Sequence, residues 1–190
     1  MRLAINIPQI DTFSDEEFYR FCRANPDLRV ERNENGQIVV MPPTGIETSF
    51  RNSDLNYRIY SWNLRNRLGR VSDSNGGYTL PDSSMRAPDV AWISNERLAT
   101  IPLSDLKKFA HVCPDFVIEL MSESDEMEDL EQKMKKWLVN GVRLGWLVDP
   151  KKRQTYIFSP VREPEVKLFS DDLLGEEVLP GLVIKLSDIF

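Results

Sequence analysis

A mixed α/β fold, with a helix inserted between two buried central strands, is what the sequence predicts, and three observations carry that expectation. Phe116-Val117-Ile118-Glu119-Leu120 is a near-continuous apolar run of strand length, as expected of a strand covered on both faces. Residues 125–140 follow it with Leu130, Met134, Trp137 and Leu138 at helical spacing, and Gly141 closes that helix. Trp146-Leu147-Val148 then reads as a second buried strand, stopped by Asp149-Pro150.

The remaining elements follow from local signals. Ser14 with Glu17 forms a capping box that opens a helix ending near Arg23, because Pro26 prevents its continuation. Residues 28–31 and 37–41 flank Asn35-Gly36, a hairpin turn signal. Pro42-Pro43-Thr44-Gly45 breaks the chain before a longer helix over residues 47–68. A turn at Ser74-Asn75-Gly76-Gly77 separates strands near Val71 and at 78–80, and residues 89–93 form a strand after Pro88. Residues 103–109 read as a short helix and His111 as a loop residue. Residues 155–158 and 166–169 form a further hairpin, and 182–184 a last edge strand. No repeat or linker divides the chain, so residues 1–190 read as a single domain.

Composition narrows the function. The chain has 190 residues, a net charge of −6 and 28% charged residues, which is the balance of a folded soluble protein. No apolar run approaches the ~20 residues that cross a bilayer, so no membrane partner is expected. Asn6, Pro8 and Gln9 interrupt the first residues, which do not read as a signal peptide. Two cysteines, Cys22 and Cys113, give no disulfide framework, and a cytoplasmic setting is expected. With His111 the single histidine, a multi-histidine zinc site is excluded. Neither GxGxxG nor a Walker A motif is present. Residues 48–70 carry five arginines against one aspartate, residues 115–131 eight acids and no base, and residues 132–153 seven bases against Asp149. Basic segments bracketing an acidic one suit a phosphate track beside a metal site, although solvated helix faces give the same pattern.

Glu119 is the informative residue. Strand alternation places Asp115, Val117, Glu119 and Met121 on one sheet face, and Phe116, Ile118 and Leu120 on the other. A carboxylate in a buried strand is costly unless it pairs with a basic side chain or coordinates a cation. Asp89 is the second acid, held at a strand head by Pro88. Two rigid carboxylates suit Mg²⁺ or Mn²⁺, which prefer oxygen ligands. At 100° per residue, Lys133 falls on the edge of the Leu130–Met134–Trp137 stripe, and Lys135 and Lys136 fall outside it. Its stem can lie along the core and bring the ammonium to the adjoining strand, where it either snorkels or stabilises transition-state charge. Arg51, Arg58 and Arg65 recur every seven residues on one helix face, placed either to contact successive phosphates or to pair with the acidic segment. Glu47 sits near the start of the same helix, where it either satisfies the helix dipole or serves as a third metal ligand.

Met41-Pro42-Pro43-Thr44-Gly45, Ala87-Pro88-Asp89-Val90, the run from Cys113 through Asp125, and Asn140-Gly141-Val142-Arg143-Leu144-Gly145-Trp146-Leu147-Val148-Asp149-Pro150 together resemble the Uma-two family of bacterial proteins labelled as restriction endonucleases. The resemblance spans nearly the whole chain. It implies a PD-(D/E)XK nuclease fold: a restriction-endonuclease-like mixed β-sheet flanked by helices, here with additional hairpins. By position it makes Asp89 the motif aspartate and Glu119 the motif glutamate. The basic residue two positions beyond the glutamate is replaced by Met121, and Lys133 on the following helix is where such a lysine would be supplied. Glu47-Thr48 occupies the region where many relatives have a histidine.

The expectation is therefore a Mg²⁺- or Mn²⁺-dependent endonuclease acting on nucleic acid, with DNA the leading substrate. Asp89, Glu119 and Lys133 form its catalytic set, and Asp89, Glu119 and Glu47 hold the metal. Arg51, Arg58 and Arg65 contact the backbone, and a homodimer is compatible with the apolar C-terminus. The alternative is a non-catalytic nucleic-acid-binding or protein-interaction module on the same fold, which Met121 and the acidic net charge favour.

Overall fold

A computed structural model of the chain describes residues 13–190, together with the backbone of residues 3–5. The reading of the first residues as lacking a signal peptide falls largely outside these. In chain order the first elements are β1 (Leu3–Ile5), α1 (Asp15–Ala24), β2 (Arg29–Arg32), β3 (Ile38–Met41), α2 (Ile46–Asn66), β4 (Gly69–Ser72), β5 (Tyr78–Thr79) and β6 (Met85–Arg86). They are followed by β7 (Val90–Ser94), α3 (Asn95–Leu98), β8 (Ala110–His111), β9 (Phe116–Leu120), α4 (Met127–Val139) and β10 (Leu144–Asp149). The chain ends with β11 (Gln154–Ser159), β12 (Arg162–Leu168), β13 (Asp172–Leu174) and β14 (Val183–Lys185).

Among the described residues, the strands form two six-stranded sheets and a ribbon. The central sheet runs β12-β11-β10-β9-β7-β4. In it β9 and β10 are parallel, joined by α4, while β7 and β11 flank them antiparallel. The second sheet runs β1-β3-β2-β6-β5-β8, and β13 pairs with β14 alone. These mixed sheets flanked by helices are the fold class expected from the sequence.

The alternation read in β9 decides which layer each residue joins. Phe116, Ile118 and Leu120 pack with Leu144, Trp146 and Val148 beneath Leu55, Ile59 and Trp62 of α2. Val117 and Leu147 face Leu130, Met134 and Trp137 of α4 on the other side. Burying each of these side chains stabilises the fold by about 1.5–3 kcal/mol. Helix α2 is locked to β7 by the Trp62 and Trp92 rings, 5.7 Å apart edge to face, and by Trp92 Nε1 donating to Asn63 Oδ1 at 2.8 Å. That lock holds the start of β7 under α2.

Three local expectations change. In residues 103–109 only Asp105–Lys107 forms a 3₁₀ turn, because Leu103 and Leu106 are exposed and no neighbouring layer buries a helical face there. His111 lies in β8, paired parallel to β5, and its Nε2 meets Asp15 Oδ2 at 2.7 Å. The last strand pairs only with β13. Leu173, Leu182 and Ile184 cover the α2 side of the central sheet instead of lengthening it.

Candidate active site

The register of the central strands brings the two candidate acids together. Val90 pairs with Ile118 and Ala91 with Val117, so Asp89, just before β7, comes beside the end of β9 that carries Glu119. Asp89 Oδ2 accepts from the Leu120 amide at 2.8 Å, and Asp89 Oδ1 accepts from Asn52 Nδ2 of α2 at 3.2 Å. Glu119 Oε1 accepts from Trp137 Nε1 at 2.9 Å. Asp115, on the same strand face but at the opposite end of β9, serves the fold: it accepts from the Ser94 amide at 2.8 Å and pairs with Arg97 at 3.1 Å.

Lys133 is deeper than the edge position its helical angle suggests. Its side chain is 4% exposed, and Nζ lies 2.9 Å from Glu119 Oε1 and 2.9 Å from Glu31 Oε1. Glu31 comes from β2 in the other sheet. Arg32 pairs with Met85 there, which puts Glu31 on the rung of Arg86. Arg86 Nη1 donates to Glu31 Oε2 at 3.2 Å, and the Ala87 amide donates to Oε1 at 3.1 Å. A buried ionic chain therefore runs from Arg86 through Glu31 and Lys133 to Glu119, tying one sheet to the other across α4.

Electrostatics separate the acids. Burial raises the Glu119 carboxyl, and the Asp89 and Glu31 charges add to that against Lys133 and the Trp137 hydrogen bond, leaving it at about 7. Burial likewise raises Asp89, against the Leu120 amide bond and the charges of Lys133 and Arg29. Burial opposes ionisation of Glu31 too, but Lys133 and Arg86 outweigh it and hold the group down at about 2. Glu31 is thus the permanent counterion of the lysine, and Glu119 is the group that titrates.

This has a consequence for stability. The folded protein keeps a proton on Glu119 up to about pH 7, whereas the unfolded chain releases it near pH 4.5. Between those values the folded state binds more protons, so this contribution to stability falls as pH rises through the window. Chemical denaturation of metal-free protein at pH 5.5 and pH 8 is expected to show a Glu119-dependent loss on the order of 1–3 kcal/mol at the higher pH. In Glu119→Gln that component is expected to vanish.

Asp89, Glu119, Lys133 and Glu47 all line one cleft of about 350 Å³, walled by the Met41–Gly45 segment and the Ser122–Asp125 loop. Glu47 stands on the cleft wall with its side chain 74% exposed and paired with Arg51 at 2.6 Å. Among the described residues, no group of three or more His, Cys, Asp or Glu side chains is arranged to hold a metal ion. The arginine row follows the side of α2 that faces the C-terminus. Arg51 lies over the Phe190 ring at 5.0 Å, Arg58 approaches Asp188 at 4.0 Å, and Arg65 is exposed. The partners of Arg51 and Arg58 are thus Glu47 and the C-terminal residues, not the acidic segment 115–131.

Sequence reasoning missed Glu31, Arg86 and Asn52. Glu31 carried one signal, a carboxylate at an inward position of a strand between Val30 and Arg32, but its partner lies about a hundred residues away. Asn52 carried none. Its Oδ1 is buried without a hydrogen-bond donor.

A family model described as "Putative restriction endonuclease", Uma2, matches residues 15–187. The chain belongs to the Uma2 family. Its fold is similar to the crystal structure of a "putative nuclease belonging to DUF820" from Anabaena variabilis, with a TM-score of 0.76 at 21% identity. That likeness covers 94% of this chain and 97% of the other, and shows the fold. No curated protein matches the chain. Among the described residues, no helix is long and apolar enough to cross a membrane.

Proposed function

We propose that this Uma2 chain is a cytoplasmic, single-domain, Mg²⁺- or Mn²⁺-dependent endonuclease that hydrolyses phosphodiester bonds, with DNA as its substrate. The observation that carries this is the pair of carboxylates lining one open cleft, half-buried Asp89 and buried Glu119, with a buried lysine ammonium 2.9 Å from Glu119. Asp89 and Glu119 would hold the cation, and Glu47 on the cleft wall is the third candidate. The donor set fits a hard cation, because it consists of carboxylate oxygens lining one cleft. When bound, such a cation supplies Lewis-acid polarisation of the phosphate and lowers the pKa of a water.

The protein's own residues do the rest. Glu31, 2.9 Å from Nζ, holds Lys133 in place, so the ammonium meets charge developing on the phosphate without reorganising. Lys133 thereby takes the role that Met121, in the strand, cannot fill. Trp137 and the Leu120 amide fix the two carboxylates in place. Arg51, Arg58 and Arg65 remain candidates for backbone contacts, with Arg65 the exposed member of the row.

Incubating supercoiled and linear DNA with the protein in Mg²⁺ or Mn²⁺ tests the reading. Cleavage is expected to be lost in Asp89→Ala and Glu119→Ala, and to fall by about 10²-fold or more in Lys133→Met, provided each variant is folded. Cleavage that survives in Asp89→Ala would place the chemistry elsewhere.

A further inference from the structure

A second cavity, of about 410 Å³, adjoins the cleft and shares Arg29, Thr44 and Asp89 with it. Its wall is the polar side of α2, where Tyr57 and Tyr60 are 67% and 51% exposed. Large aromatic rings left in water at the mouth of a cavity are a costly arrangement for a surface helix with no partner. Behind them the cavity is polar. Asn56 Nδ2 is already committed to the Ser72 carbonyl at 3.1 Å, but the buried Asn52 Oδ1 has no donor. Arg29, half-buried and fixed to the Ser74 carbonyl at 2.9 Å, stands where the two spaces meet.

We propose that this cavity is a base-stacking subsite. In it one unpaired nucleotide of a nucleic-acid strand lies against Tyr57 and Tyr60, with its phosphate on Arg29, next to the phosphodiester bound at Asp89. The proposal rests on the phosphodiesterase reading for the occupant of the neighbouring cleft. Two features select a nucleotide over a protein partner: aromatic rings rather than aliphatic side chains at the mouth, and a cation at the junction. Exposed Ile46, Phe50 and Leu64 continue the stripe along α2 beyond the cavity, so a protein-contact face is the competing outcome. Because Arg29 is the cation at the junction and the chain is acidic overall, stacking carries the affinity and its salt dependence is shallow.

The test is fluorescence anisotropy with a labelled oligothymidylate and with a blunt duplex, in Ca²⁺ and in EDTA. The full chain is expected to bind the single strand more tightly than the duplex. Tyr57→Ala/Tyr60→Ala is expected to weaken single-strand binding by about ten-fold or more, and Tyr57→Phe/Tyr60→Phe to retain it, since stacking requires the ring and not the hydroxyl. Unchanged affinity in the alanine variant would overturn the subsite. So would an equal loss in the phenylalanine variant, or a changed sedimentation coefficient with affinity intact. Absence of single-strand binding by the wild type overturns it as well, and DNA cleavage by the same preparation then shows whether the phosphodiesterase reading survives alone.

Discussion

Lys133→Ala is expected to destabilise the folded protein by about 3–5 kcal/mol, because removing one member of a buried charge cluster leaves the others uncompensated. Without it, Glu31 keeps Arg86 and the Ala87 amide, but Glu119 is left with the Trp137 hydrogen bond. Glu119 then ionises less readily still, and the loss becomes pH-dependent. Denaturant titration is expected to show a smaller deficit at pH 6, where Glu119 is largely protonated, than at pH 8. Lys133→Met separates packing from charge: it refills the space of the stem, so its deficit at pH 6 is expected to be the smaller of the two variants. A deficit that stays the same at pH 6 and pH 8 in both variants would show that the Lys133 charge is not coupled to Glu119.

Glu31→Ala is the complementary case, with an expected loss of similar size, about 3–5 kcal/mol. Arg86 is then left with Glu34 at 3.8 Å, the Ala87 amide loses its Glu31 acceptor, and Lys133 keeps Glu119. The two substitutions move the Glu119 titration in opposite directions. Removing the Glu31 charge takes away a like charge beside Glu119, so its midpoint is expected to fall below about 7. Removing Lys133 is expected to raise it. Carbon-13 NMR of labelled glutamate reads both shifts, and movement in the same direction would refute the ionic chain as described.

The parts of this site legible in the sequence are those fixed by local geometry. Glu119 stood out because strand alternation fixes its face within five residues, and Asp89 because Pro88 pins the strand head. Lys133 was found by helical angle, although its depth was not, since the angle cannot show that a second sheet closes over it. Glu31 and Asn52 were illegible for one reason: each meets its partner through packing of elements distant in sequence, and no local periodicity encodes that. The arginine row shows the same limit. Its seven-residue spacing was correct, whereas Phe190 and Asp188 as the neighbours of Arg51 and Arg58 follow from how the C-terminus folds back. Residues 103–109 fail in the opposite sense, because helix-compatible spacing without a layer to pack against yields only a turn.

Calorimetric titration of Mn²⁺ into the purified protein tests whether Asp89 and Glu119 form one metal site. Saturable binding by the wild type, lost in both Asp89→Ala and Glu119→Ala while both remain folded, is the predicted result. No binding by the wild type, even with a short DNA duplex present, would contradict it and favour a non-catalytic module built on a nuclease fold.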